Sequence, residues 1–484
     1  MKYLIYITIF LIVSSSIFLM LRYCICLKKD IIFKILSQKL LQQQDYRGGE
    51  IFFSSKGIRE IIKCSKLKEL SDKSLDDLQN QLKSKKCEYA LAILKAFLNP
   101  ALAVRDFENL TKKYQQNYLF AVELAKLYIV NNKISLAEAL IDNINDKYAD
   151  NYTKAVKYYI QTIIATSAGD MESASQEASS ALKLFEKEQA YFEMAMTYLR
   201  IGTIYRVSAI YDVAQFMFEA AKEIFAKMKQ NTAYAIVSAN LGMLMVAQNR
   251  YDEAEDFFEK ALQLNQNVEN KCGQAEIFNQ QALMETTREN YEKAYNLAQK
   301  AKEIHHSIGN LNGEALSLDI LSHIKFGQKK YNDVVTFTTL ANQIYEKNHN
   351  VSAQLESLYM QASAYFWLEK YDKSEKILRK IIRQANNQQT CFHNANAYNL
   401  LGLIFLRKND LAKAKSFFMQ AVQREEKNDR FSGAAVDYAN LALIEQKSGN
   451  YEQAKKMLEM ALEYAKNSGD ETLADRIQKQ INPN

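Results

Sequence analysis

Apolar and small side chains recur along this chain at a fixed interval, separated by short polar stretches. Tyr211, Tyr251, Tyr291, Tyr331 and Tyr371, then Leu411 and Tyr451, fall in a single 40-residue register. Three residues after each comes a small or short side chain: Ala214, Ala254, Ala294, Val334, Ser374, Ala414 or Ala454. Twelve residues before that one stands another, namely Gly202, Gly242, Ala282, Ser322, Ala362, Gly402 or Ala442. The apolar residues around them follow helical spacing, as in Tyr198-x-x-Ile201-Gly202-x-x-Tyr205 followed by Ala214-x-x-x-Phe218. A small residue lets two helices approach closely, so the pattern predicts antiparallel helix pairs with one close contact per pair. Polar turns such as Ser307-Ile308-Gly309-Asn310 and Asn467-Ser468-Gly469-Asp470 fit between them.

Backwards from Tyr211 the register holds for one more unit, Met171 to Ile210, and then shortens. Ala137 precedes Ala174 by 37 residues, and Ala103 precedes Ala137 by 34. Counting small second-helix positions from Ala103 to Ala454 gives ten units. After Asp470 apolar positions are sparse (Leu473, Ala474, Ile477), as a capping helix with a solvated outer face requires. The chain has 14 Gly and 2 Pro in 484 residues, too few turn formers for an all-β fold. Its 48% hydrophobic content suffices for a continuous core. In a repeat array each unit buries its face only against its neighbours, so one long domain is expected where length alone suggests three.

These residues resemble the tetratricopeptide repeat (TPR) family. The period is longer than that family's usual unit of about 34 residues, and the Pro near the end of the second helix is missing. Pro100 and Pro483 are the only prolines in the chain. Without a proline stop the second helix runs on, and the extra residues add roughly one turn to each helix. The long-helix TPR subclass of kinesin light chains and bacterial peptide-pheromone receptors is similar. The resemblance implies an all-α fold, a TPR superhelical solenoid of about ten helix pairs. It also implies a groove lined by the first helix of each pair, at six before, three before, one after, four after and five after the small residue. Mapped here, those offsets select Arg206, Met243, Glu276, Asn279, Asp319, His323, Glu356, Tyr359, Phe366, Trp367, Asn396 and Asn399. The set lacks the Lys/Asn/Arg combination by which chaperone-binding TPRs clamp a terminal carboxylate. Instead Tyr359, Phe366 and Trp367 make an aromatic patch flanked by Asp319 and Glu356, suited to an apolar peptide segment with a basic neighbour. The blander alternative is that these aromatics cover the ends of longer helices. Asn240, Gln280 and Asn440 recur at a further first-helix register, of use to a peptide receptor, though Arg200, Ile320, Met360 and Leu400 interrupt it.

At the start, Tyr3 to Leu21 is 19 residues without a charge, roughly 28 Å as a helix and close to the hydrocarbon thickness of a bilayer. A transmembrane helix is the expectation; a cleaved secretory signal and a lipoprotein are the rivals. The run is longer than a signal's apolar region, and Arg22 and Tyr23 stand where small residues would precede a lipidated Cys24. Residues 1–95 carry 17 Lys/Arg against 9 Asp/Glu, net +8, which leaves 45 against 47, net −2, for the rest. Arg22, Lys28, Lys29, Lys34 and Lys39 follow the span directly, so the positive-inside rule puts the repeats on the cytoplasmic side. The basic segment suits either an anionic leaflet or a solvated helix face. Four parts follow: 1–29 a membrane anchor with its basic flank, 30–84 an irregular helical segment, 85–466 the TPR solenoid, 467–484 a capping helix and tail. Cys24, Cys26, Cys64, Cys87, Cys272 and Cys391 do not read as a disulfide framework, and reduced thiols fit best.

No catalytic constellation is present: no Gly-rich phosphate loop, HExxH, CxxC or G-x-S-x-G. His305, His306, His323, His349 and His393 lack ligand spacing, and His305-His306 suits an imidazolium at a helix carboxyl end. No metal or other cofactor is expected, and near-neutral repeats offer no basic stripe for nucleic acid. The reading is a membrane-anchored scaffold or adaptor, not an enzyme, that binds a protein or peptide in its groove. The alternatives are a regulatory protein whose superhelix responds to a small peptide, and a subunit of an envelope or secretion assembly.

Overall fold

The computed structural model describes Leu36, Leu40, residues 54–65 and residues 75–481, apart from positions 132, 169, 349, 389–390 and 428–430. These residues form helices and, among those described, no strand. They divide into two compact units, Met1–Gly313 and Glu314–Asn484.

In the first unit α1 (Ser55–Ser65) and α2 (Leu75–Ser84) precede six helix pairs. These are α3 (Glu88–Leu98) with α4 (Pro100–Lys113), α5 (Tyr118–Val130) with α6 (Ile134–Asp142), and α7 (Asn151–Ala168) with α8 (Met171–Lys187). They continue as α9 (Tyr191–Val207) with α10 (Tyr211–Lys227), α11 (Asn231–Ala247) with α12 (Tyr251–Asn267), and α13 (Lys271–Thr287) with α14 (Tyr291–Ser307). The second unit takes all but the first turn of α15 (Leu311–Gly327), paired with α16 (Tyr331–Lys347). It goes on with α17 (Val351–Trp367) and α18 (Tyr371–Gln388), α19 (Cys391–Arg407) and α20 (Leu411–Lys427), and α21 (Phe431–Lys447) and α22 (Tyr451–Ser468). A last helix, α23 (Glu471–Ile481), buries only Leu473 and Ile477 and leaves its other side to solvent.

The 40-residue register decomposes into two equal halves. From α8 onward, the described residues that close the helix–helix turns adopt a left-handed backbone and recur every 20 positions: Gln189, Ala209, Lys229, Asn249, Glu269, Glu289, Gly309 and Lys329. In the second unit Glu369, Asn409, Gly449 and Gly469 continue the series. At each of these except Gly469 the next amide then reaches back along the helix just ended, Ile210 N to Tyr205 O at 2.9 Å and Arg250 N to Met245 O at 2.9 Å, in the manner of a Schellman cap; after Gly469 the Asp470 amide donates to the Ser468 hydroxyl instead. Every such turn therefore satisfies carbonyls that a helix end otherwise leaves unpaired.

First and second helices are buried differently. Of the first helices, α11 is buried on most sides, from Ala233 and Val237 through Leu241 to Met245, whereas α12 buries a single stripe, Ala254, Phe258, Ala261 and Asn265. Successive first helices also pack on one another, α11 on α13 and α17 on α19, and no comparable packing joins α12 to α14 or α18 to α20. Within each unit the first helices thus form the inner, more tightly spaced layer.

The small positions act as sockets for side chains. A β-carbon added at Gly202 would lie 2.6 Å from the Phe218 ring, at Gly242 2.6 Å from Phe258, and at Gly402 2.7 Å from Phe418. Glycine here accommodates an aromatic ring from the partner helix, which refines the expectation of backbone approach alone. Where the first-helix position is Ala362 or Ala442, the residue at the matching second-helix position is the smaller Leu378 or Leu458, and all four are buried.

Two further expectations meet the structure. Cys64 and Cys87 form a disulfide, with Cα atoms 6.5 Å apart, against the expectation of reduced thiols; α1 packs back on α3 and brings them within bridging distance. The run Tyr3–Leu21 and its basic flank lie outside the described residues, among which no helix is long and apolar enough to cross a membrane.

Gly242→Ala should cost about 1–3 kcal/mol by overpacking against Phe258. The double variant Gly242→Ala/Phe258→Leu, which copies the Ala/Leu pairing found elsewhere in the chain, should recover most of that loss. Thermal or urea unfolding measures both; equal stability of the double and single variants would refute the socket.

Candidate functional site

The inner faces are built by residues that first helices turn away from their second helices. In the first unit Arg206 is half-buried at the end of α9, its Nε buried with no hydrogen-bond partner among the described residues, and burial holds its guanidinium below its usual pKa. Met243 of α11 is half-buried against the core. Glu276 and Asn279 lie on α13, but Asn279 is 1% exposed and belongs to the wall rather than to its surface. Asn240 turns its amide to the Ile236 carbonyl of its own helix at 2.9 Å.

His305 is corrected from an imidazolium to a neutral linker. It is fully buried, and burial lowers its pKa to about 4. Its Nδ1 lies 3.2 Å from Nδ2 of Asn310, whose Oδ1 accepts from the Gly313 amide at 2.8 Å to cap α15. Glu276 is 3.8 Å from His305 Nε2, a contact with a neutral ring at pH 7. The same linkage recurs one pair earlier with Asn265, Asn270 and Gly273.

In the second unit Asp319 of α15 stands deepest. Its Oδ2 accepts from Tyr345 Oη of α16 at 2.8 Å, its Oδ1 is buried, and burial, opposed by Ser357 and Tyr345 and joined by a smaller repulsion from Glu356, raises its pKa to about 7. His323 and Glu356 are exposed, yet the wall crowds them: desolvation pushes the imidazole down and the carboxyl up. Tyr359 is half-buried with its phenol pKa raised by burial. Asn396 and Asn399 of α19 are half-buried, and Asn399 donates to the buried Asp437 of α21. Asp319, Glu356, Tyr359, Asn399 and Asp437 therefore succeed one another across four first helices.

The aromatic patch does not assemble as one surface. Phe366 is 7% exposed and sits in the core. Trp367, 52% exposed, stacks on Tyr331 at 6.0 Å with the rings 10° apart. Phe326–Tyr331, Trp367–Phe366 and Phe366–Tyr371 contacts at 5.3, 5.6 and 5.8 Å extend this into a ladder along the turn edge. Tyr359 lies eight residues, about 12 Å, away along α17. Helix-end cover is therefore the structural role of Phe366 and Trp367, and the repeating tyrosine is its anchor. Among the described residues no group of three His, Cys, Asp or Glu is placed to hold a metal ion.

Residues 193–267 and 354–427 match a tetratricopeptide repeat family model, and residues 438–468 match a second model of that repeat. The chain thus carries tetratricopeptide repeats. No curated protein matches the sequence. Among solved structures, the Rap protein complexed with Competence and Sporulation Factor is similar, 13% identical over 83% of this chain and 100% of that chain, with a TM-score of 0.50. A signal-transduction ATPase with a tetratricopeptide repeat sensor from Pyrococcus horikoshii is 14% identical over 91% of this chain, with a TM-score of 0.49. The match spans 65% of that ATPase. Yeast Tom70 is 13% identical over 88% of this chain and 96% of that chain, with a TM-score of 0.45. At such identities the Rap likeness is one of helical-repeat fold.

Asp319 yields a signed expectation. Its pKa of about 7 in the folded protein lies above its ordinary 3.8, so ionising it costs stability as pH rises from about 4 through about 7. Asp319→Asn should match wild type near pH 4 and exceed it by about 1 kcal/mol at pH 8, a figure reduced from the full shift for partial exposure. Denaturant unfolding at both pH values checks this; a variant no more stable at pH 8 would contradict it.

Proposed function

We propose that the chain is a protein-binding TPR scaffold whose second unit holds, on its inner face, a peptide segment that carries a basic side chain. The observation that carries this is the placement of a half-buried, largely desolvated Asp319 and an exposed Glu356 on adjacent first helices, with the half-buried Tyr359 one turn from Glu356. A lysine or arginine there would meet two carboxylates in a partly desolvated wall, where charge-assisted hydrogen bonds are strong. Tyr359 and the half-buried aliphatic surface give the neighbouring peptide residues something to cover. The role is that of an adaptor without catalysis. A Rap structure solved with Competence and Sporulation Factor is consistent with such a fold holding a factor, and the regulatory reading differs from the scaffold only in what the bound segment changes.

A membrane tether through Tyr3–Leu21 belongs to the same proposal, with charge bias favouring repeats on the cytoplasmic side. Carbonate extraction and protease protection in intact cells test it: the chain should stay with the membrane and its repeats should be digested only after lysis. Extraction by carbonate, or digestion from outside, would overturn the tether or its orientation.

Binding has its own signature. Because the Asp319 carboxyl titrates near neutrality, a cationic segment should drive it to the carboxylate and release a proton. Calorimetric titration at pH 7 with an apolar peptide containing one lysine, repeated in buffers of different ionisation enthalpy, should show proton release. Asp319→Asn or Glu356→Gln should weaken binding at least tenfold. A matched peptide with glutamate in place of lysine binding equally well would refute the proposal.

A further inference from the structure

The inner face of the first pairs is already occupied, by the chain itself. The amino end of helix α1 lies against first helices and the turn that precedes one of them. Ser54 caps it, accepting from the Gly57 amide at 2.9 Å, and donates its own proton to Glu123 Oε1 of α5 at 2.6 Å. The Ser55 amide donates to Glu193 Oε1 of α9 at 2.9 Å, an oxygen that also accepts from Tyr152 Oη of α7 at 2.7 Å. Lys56 pairs with Asp150 at 2.7 Å and sits 4.6 Å above the Tyr152 ring. Glu123 is fully buried and Glu193 is 7% exposed. Lys126 answers the other oxygen of Glu123 at 2.6 Å, and the start of α1 supplies donors to both carboxylates. A helix amino end carries unpaired N–H groups and partial positive charge, which is what buried carboxylates require.

At its other end α1 is fastened covalently. Cys64 in its last turn is bonded to Cys87, 23 positions later and just before α3. An 11-residue helix is too short to persist in water by itself, so α1 stays folded only while docked. The bridge ties α1 directly to the start of α3 and so raises the effective concentration of α1 at its site. In a reducing compartment such a bond is a switch rather than a staple.

We infer that the inner face of the first pairs is a recognition site for the amino end of a serine-capped, lysine-bearing helix, that residues 54–65 are its self-supplied ligand, and that reduction of Cys64–Cys87 opens it to a second such segment. A dithiol supplies the two electrons: the sulfur–sulfur bond breaks, two thiols form with two protons, and the dithiol closes to its own disulfide. Freed at one end, α1 leaves by local unfolding. This does not depend on the reading of the second unit.

Hydrogen exchange on the full chain in detergent, with and without dithiothreitol, tests it. Reduction should speed exchange of the amides from Lys56 to Cys64 at least tenfold and leave α21 unchanged. A labelled synthetic peptide of residues 54–65 should bind the reduced chain at least tenfold more tightly than the oxidised one, and Glu193→Gln should abolish the gain. Cys64→Ser should behave as the reduced chain; if that variant fails to fold, reduction of the wild type reads the same equilibrium. Unchanged exchange on reduction, or a peptide that ignores redox state, overturns the inference.

Discussion

The structure depends on how each helix stops. A short turn with one left-handed residue, closed by an amide reaching back along the helix, ends most helices in the regular part of the chain. It holds α9 to α21 to 17 residues each, with α18 the one exception. That exception and α22 are a single residue longer, at 18 residues. Near-equal lengths keep the small positions of one helix opposite the large positions of the next. Only Gly309, Gly449 and Gly469 in this series are glycines; Lys, Glu, Gln, Ala and Asn accept the same backbone elsewhere. A side chain there strains the backbone by roughly 1–2 kcal/mol, offset by the carbonyls that the turn satisfies. The 12-residue step from Gly202 to Ala214, or from Gly402 to Ala414, is the sequence image of that geometry.

Much of this was legible in the sequence, because it is local. The 40-residue register, the glycine and alanine sockets and the thinly apolar last helix all come from contacts between neighbouring segments. The half-period was not, since turn residues as different as Ala209 and Glu289 share a backbone conformation without sharing chemistry. The two halves also differ in burial, which conceals their common length.

Of the proposed site, the sequence supplies positions but not surroundings. Family offsets select Asp319, Glu356 and Tyr359, of which Asp319 and Tyr359 are half-buried and Glu356 is exposed. They miss Tyr345, which reaches Asp319 from a second helix, and Asp437, one step outside the offsets, which takes the Asn399 amide. They also select Phe366, which the longer helix carries into the core, and Asn279, which lies within the wall. The docking of α1 on Glu123 and Glu193 was beyond reach for another reason. It joins positions 69 and 138 apart, and neither a cysteine spacing nor a serine pair signals such a distance.

The identity of the turns gives the array a parity. Removing one helix together with its turn from the regular part would leave the neighbouring caps intact, since the helices on either side still end in the same backbone and hydrogen bond. It would nevertheless exchange inner and outer roles for all that follows, setting single-stripe helices such as α12 where all-round burial is required. Removing a whole helix pair restores both. Local geometry counts single helices while packing counts pairs, so such an array can gain or lose length only in even steps.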